Sequence, residues 1–254
     1  MQFARIGDDG IMATFVLVHG AYHGAWCWER LRRRLELGGH RVFADDLPGH
    51  GKDFDPAKAT LEAYADATAG LIRGIGGSAG EGGVHLVGHS MAGAVIAETA
   101  ERVPEFLAGL VFLTAYLPEN GLSVADLARL DEQVSIEAKR VEIDGVKCLE
   151  LDEAVLRRHF YQDASDDQFD WVRERIRPQA IKPFVTPVAI TPDRFGQVPR
   201  AYVHCEKDKA IGLFLQHRME RATPCHPVLR LATGHSPFVT DVDALAQVMH
   251  ETVR

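Results

Sequence analysis

Two kinds of hydrophobic spacing alternate along the first half of the chain. Thr14-Phe15-Val16-Leu17-Val18 is an unbroken apolar, β-branched run stopped by His19-Gly20, the pattern of a strand covered on both faces in a parallel sheet. A helix is expected from about residue 25, with Trp28, Leu31 and Leu35 on one face and Gly38-Gly39 as its stop. The alternation then repeats. Residues 41–44 read as a second strand, and Leu61, Tyr64, Ala65, Thr68, Leu71 and Ile72 keep helical period. Residues 84–87 are a third strand, 91–103 a helix apolar nearly all round, and 107–113 a fourth strand. Strands alternating with helices predict a wound α/β sheet.

From about residue 118 to 192 the text turns charged and irregular. Within it, 141–148 reads as a hairpin, because Asp144-Gly145 suits the left-handed dihedrals of a two-residue turn. Helical stretches follow at 153–161 and 166–176. The α/β pattern resumes with strands at 201–204 and 227–231. A last helix is expected to start with Thr240 as N-cap and Asp243 as its capping-box partner. The reading is one domain over 1–254, with 118–192 inserted between sheet strands as a small lid.

Composition narrows the function classes. A chain of 254 residues buries enough surface to need no disulfide or metal staple. With 46% hydrophobic and 25% charged residues it is neither disordered, collagenous nor coiled-coil. A net charge of −8 without a Lys/Arg cluster argues against nucleic-acid or anionic-membrane partners. The N-terminus lacks a secretory pattern and no 18-residue apolar stretch occurs. Cys27, Cys148, Cys205 and Cys225 are scattered and read as reduced thiols. A cytoplasmic enzyme is expected, and its oligomeric state, a homodimer included, is left open.

The chemistry concentrates in Gly88-His89-Ser90-Met91-Ala92-Gly93, between a buried strand and a buried helix. That is the setting of a nucleophile elbow, a sharp turn that presents a serine hydroxyl between small neighbours. Ala92 stands where the usual motif has Gly. A serine hydroxyl is a weak nucleophile and needs a base and an orienting acid, which in this architecture follow in the order Ser, Asp/Glu, His. His235, in Thr233-Gly234-His235-Ser236-Pro237, follows the last expected strand and is the best base of the 12 histidines. Asp208 follows the preceding strand and is the expected acid, with Glu206 and Glu119 as rivals. Backbone N–H donors for a developing oxyanion are expected from Met91 and from the loop after the first strand, through Ala21. His19 and His23 straddle a Gly/Ala loop and make a poor zinc pair. Gly74-Ile75-Gly76-Gly77-Ser78-Ala79-Gly80 has no Lys and follows a helix, so it is a flexible connection rather than a phosphate cradle. No metal site and no cofactor are expected.

The run Phe15-Val16-Leu17-Val18-His19-Gly20-Ala21-Tyr22-His23-Gly24-Ala25-Trp26-Cys27-Trp28 closely resembles the opening of the plant methyl-ester hydrolases. Those enzymes belong to the α/β-hydrolase superfamily, beside the hydroxynitrile lyases and bacterial esterases. The elbow, Arg177-Pro178-Gln179 and Cys205-Glu206-Lys207-Asp208-Lys209-Ala210-Ile211 extend the resemblance. It covers nearly everything from Met12 onward and leaves 1–11 as an N-terminal extension. It implies the α/β-hydrolase fold, a mostly parallel sheet flanked by helices, with the small inserted lid roofing an apolar pocket. It also implies Ser90, Asp208 and His235 as triad and Ala21 and Met91 as oxyanion hole. The substrate pocket is expected to take in Gly20, Tyr22, Trp26 and Ser236. The lyase relatives carry Thr at the Gly20 position and Lys at the Ser236 position, so the resemblance favours hydrolysis of a carboxylic ester or lactone of a small apolar or aromatic compound. The alternatives are a lyase or cofactor-free oxygenase with His235 as base, and a non-catalytic small-molecule receptor. A composition rich in Ala, Arg and Gly suits a bacterial source.

Overall fold

β1 (Thr14–Val18) is buried along its whole length, as an unbroken apolar run in a central strand must be. The computed structural model describes residues 10–77 and 82–254. Most of the N-terminal extension and residues 78–80 of the glycine-rich connection lie outside them. The described strands continue with β2 (Arg41–Phe43), β3 (Val84–His89), β4 (Leu107–Leu113), β5 (Lys139–Ile143), β6 (Val146–Glu150), β7 (Gln179–Ala180), β8 (Arg200–Cys205) and β9 (Val228–Leu231). The helices are α1 (Glu29–Leu37), α2 (Leu61–Ile75), α3 (Ala92–Arg102), α4 (Val124–Ala128), α5 (Glu153–Phe160), α6 (Asp166–Arg173), α7 (Lys182–Val185), α8 (Leu213–Ala222), α9 (Pro237–Thr240) and α10 (Val242–Glu251).

Six strands form one sheet in the order β2-β1-β3-β4-β8-β9, every neighbouring pair parallel. The chain therefore steps from β1 to one edge and returns past β1 to β3. Right-handed crossovers then put α1 on the opposite face from the connections that follow. In keeping with this, α1 packs with α10, and α2 with α3. Phe15, Leu17, Leu86 and Phe112 are fully buried between the layers. No described helix is long and apolar enough to cross a membrane.

Between β4 and β8 the chain leaves the sheet and builds a second, antiparallel one in the order β5-β6-β7. Asp144 and Gly145 turn the β5–β6 hairpin at φ of +49° and +79°. The excursion is tied back by α3. Glu98 accepts the Ala189 amide at 2.5 Å, and Glu101 accepts the Thr191 amide at 2.8 Å.

The last helix departs from expectation. Asp241, not Thr240, caps α10 by accepting the Ala244 amide at 3.2 Å. Thr240 ends the separate turn α9, because Pro237 suits a first helical position and starts that turn earlier. Asp243 pairs instead with Arg34 at 2.6 Å.

Candidate active site

Because the strand order reverses at β1, the carboxyl ends of β1 and β3 border a crevice, the usual ligand site of an open α/β sheet. Gly20 leaves β1 there and Ser90 leaves β3. Ser90 has φ of +56°, a left-handed conformation that costs a non-glycine residue energy and is held only where the surroundings insist. They do: the Ser90 carbonyl accepts the amides of Gly93 at 3.1 Å and Tyr116 at 3.0 Å, and its own amide reaches Leu113 O at 3.4 Å. A Cβ on Gly88 would lie 2.7 Å from Ala92 O, so the turn needs glycine there. Ala92 itself is accommodated, fully buried.

His235 and Asp208 meet beside this turn, both side chains fully buried, with Nδ1 and Oδ2 2.7 Å apart. Asp208 Oδ2 also accepts the Thr114 hydroxyl, and Oδ1 accepts the amides of Ala210 and Ile211 at 2.6 and 3.0 Å. Held this way, the carboxylate accepts the Nδ1–H of His235 and leaves Nε2 with the lone pair. That nitrogen is buried and without a hydrogen-bond partner among the described residues. The two rival acids lie elsewhere: Glu206 faces Arg230 at 3.6 Å, and Glu119 is exposed. His89 joins the serine turn to the histidine loop, donating from Nε2 to His235 O at 2.9 Å.

The loop after β1 has its carbonyls pulled back one by one. Gly20 O takes Nδ1–H of His19 at 2.9 Å, Ala21 O that of His23 at 2.6 Å, and His23 O that of His50 at 2.8 Å. Tyr22, at φ of +67°, gives its carbonyl to the Arg177 amide at 3.0 Å and its amide to Gln179 Oε1 at 3.4 Å. Gln179 is fully buried and also donates to the Tyr64 hydroxyl at 3.2 Å. The Arg177-Pro178-Gln179 patch thus fixes the loop that carries Ala21. Neither the Ala21 nor the Met91 amide donates to a backbone carbonyl of the described residues.

The description of the alpha/beta hydrolase family matches residues 15–248. The chain belongs to this family. It is similar to methylesterase 7 of Arabidopsis thaliana, 28% identical over 96% of this chain and 97% of that protein. It is equally similar, at 28% identity over 93% of this chain and 98% of the relative, to the carbendazim hydrolyzing esterase of Nocardioides sp. (strain SG-4G). Among solved structures, polyneuridine aldehyde esterase shares the fold, with a TM-score of 0.85 at 21% identity over 96% of this chain and all of that one.

In this family member several residues near the crevice escaped the sequence reading. Phe160 stands edge-on to His235, with ring centroids 5.2 Å apart. Tyr161, fully buried, bonds His23 Nε2 through its hydroxyl and faces the Ser236 hydroxyl. Trp171 of the excursion meets Trp26, itself an expected pocket residue stacked on His23, edge-on at 5.2 Å. Thr114 had a signal, a hydroxyl residue at the end of β4, but only the β4–β8 pairing puts it next to Asp208. A cavity of about 400 Å³ runs from Tyr116 and Ala210 to Arg129, Asp131 and Ile136. Both ring nitrogens of His19 and of His23 are engaged, so neither offers a lone pair to a metal. The fold does gather one group that chain spacing hides: His204, His217 and Glu220.

The buried histidines make the fold sensitive to acid. Burial pushes His23 down to about 4, assisted by His235 and His50, and His85 likewise to about 4. His19 and His89 are shifted the same way by the same cause. Unfolded histidines titrate near 6.5, so between about 6.5 and 4 the unfolded chain binds more protons than the folded one. Stability is then complete above that window and falls as pH drops through it, by about 1.4 kcal/mol per pH unit for each histidine kept neutral. Denaturant midpoints are expected to be flat near pH 7.5 and clearly lower at pH 5.5. An unchanged midpoint would contradict the assignment of these rings as neutral.

Proposed function

We propose that the chain is a serine hydrolase that cleaves a carboxylic ester or lactone of a small apolar or aromatic compound through an acyl-enzyme on Ser90. The observation that carries this reading is the strained Ser90 turn beside the buried His235–Asp208 pair, 2.7 Å apart. In this mechanism His235 Nε2 takes the Ser90 proton as Oγ attacks the ester carbonyl. Asp208 orients the ring and stabilises the imidazolium that forms. The Ala21 and Met91 amides receive the negative charge developing on the carbonyl oxygen. Collapse of the adduct expels the alcohol, protonated by His235. Water then attacks the acyl-enzyme by the same route in reverse.

Gly20, Tyr22, Trp26 and Ser236 are assigned to the pocket wall, and residues 118–192 act as the lid. The relatives support the reaction class, being named methylesterase and carbendazim hydrolyzing esterase. The four free cysteines suit a reducing, cytoplasmic setting.

Gly20 and Ser236 favour hydrolysis over cyanohydrin cleavage. A Cβ on Gly20 would lie 3.0 Å from Ser90 Cβ, and Ser236 carries no charge to stabilise a departing anion. Gly20→Thr is therefore expected to lower ester turnover by roughly a hundredfold, since it displaces both nucleophile and oxyanion loop. The test is a panel of p-nitrophenyl and methyl esters run beside mandelonitrile. Ester hydrolysis with background cyanide release is expected. Rapid cyanide release with no ester turnover would overturn the reading.

A further inference from the structure

The crossing of β8 under α8 brings together three ligating side chains from two elements. His204 is the last residue but one of β8, while His217 and Glu220 lie three apart on α8 and so share a helix face. Their donor atoms all lie within 4.8 Å of one another. His204 is fully buried, and its ring centroid is 4.4 Å from that of His217.

The tautomer of His204 follows from its neighbours. Gln216 donates through Nε2 to Cys205 O at 3.2 Å and Ile211 O at 2.8 Å, and its Oε1 accepts the Cys205 amide at 3.2 Å. That fixes which end of the amide is oxygen. His204 Nδ1 lies 3.3 Å from the same Oε1 and must be the protonated nitrogen that donates to it. Nε2 is then an unprotonated lone pair, buried and without a hydrogen-bond partner among the described residues. A histidine whose second nitrogen is held by a carbonyl is the ordinary arrangement of an imidazole metal ligand.

We propose that His204, His217 and Glu220 form a binding site for one divalent transition-metal ion of the zinc class, joining β8 to α8 away from the Ser90 centre. Two imidazoles and one carboxylate suit zinc, nickel or copper rather than the all-oxygen chemistry of calcium or magnesium. Zinc holds such donors at about 2.0–2.1 Å, hence about 3.4 Å from one another in a tetrahedron. His217 and Glu220 are half-buried and have room to close that distance onto the fixed His204. Arg230, the cation facing His204, is drawn off by Glu206 at 3.6 Å. The fourth position is left to water. Bound metal would clamp the two ends of the turn that carries Asp208, stabilising it without entering the reaction.

The test is calorimetric titration of Zn²⁺ into the full chain, His217→Ala and Glu220→Gln, with thermal unfolding of each in the presence and absence of the ion. Both altered side chains reach the surface, so the variants keep the fold. The wild type is expected to bind one equivalent and to melt higher with zinc. Each variant is expected to bind at least about tenfold more weakly and to lose most of that rise. No binding by the wild type at roughly 100 µM Zn²⁺, or wild-type affinity in both variants, would overturn the proposal.

Discussion

Ser90→Ala and His235→Ala are each expected to lower kcat/KM for ester hydrolysis by about four orders of magnitude or more. The effects are not additive, because nucleophile and base act as one unit, and the double variant should be no worse than either single one. Asp208→Asn is expected to fall nearly as far. The carboxylate accepts from His235, Thr114 and the amides of Ala210 and Ile211 at once. An amide there sets an NH₂ group against one of those donors and turns the imidazole to the wrong tautomer. Glu206→Gln and Glu119→Gln, by contrast, should keep turnover near wild type, since one carboxylate faces Arg230 and the other is exposed. Steady-state rates on a single p-nitrophenyl ester check the five single variants and the double one. A near-normal Asp208→Asn beside a dead Glu119→Gln would move the acid to the end of β4.

Gly93→Ala is expected to cost the fold rather than the chemistry. A Cβ at Gly93 would sit 1.8 Å from Tyr116 O and 2.8 Å from its carbonyl carbon, both backbone atoms. Neither side can give without moving α3 away from the segment after β4. The same contact supports the elbow, because the Tyr116 amide holds the Ser90 carbonyl at 3.0 Å. A backbone clash of this kind belongs among the exceptional substitutions, with a loss of about 4 kcal/mol or more, and thus roughly 8–16 °C in Tm for a chain of this size. Gly70→Ala is the control: it lies in α2 with nothing within 4 Å of the added carbon. There alanine should be neutral or stabilising by up to about 1 kcal/mol. Thermal unfolding of the two variants side by side makes the comparison, and equal melting points would contradict the close packing of α3.

The parts of this structure legible in the sequence are those written in local patterns. β4 spans Leu107–Leu113 as its apolar run indicates, and the Ser90 turn announces itself by glycine and alanine around a serine between strand and helix. What was illegible depends on partners far along the chain. α8 lacks a side-chain N-cap and follows Gly212, so no start signal marks it. Two-residue β7 exists only because β6 lies alongside, pairing Cys148 with Ala180 and Leu149 with Gln179. Thr114 meets Asp208 across 94 residues, and Gln179 meets Tyr22 across 157. Nor does any spacing bring His204 to His217, because the link is a strand lying under a helix. Local periodicity reports which face of an element is buried; it carries no record of what buries it.

The nucleophilic role of Ser90 is tested most directly by intact-protein and peptide mass spectrometry after treatment with a fluorophosphonate. One adduct is expected, on the peptide containing Ser90, with ester turnover lost in step with its formation. Labelling should be absent in Ser90→Ala and strongly slowed in His235→Ala, where the hydroxyl has no base. Undiminished ester turnover with Ser90 unlabelled, or in Ser90→Ala, would contradict the account.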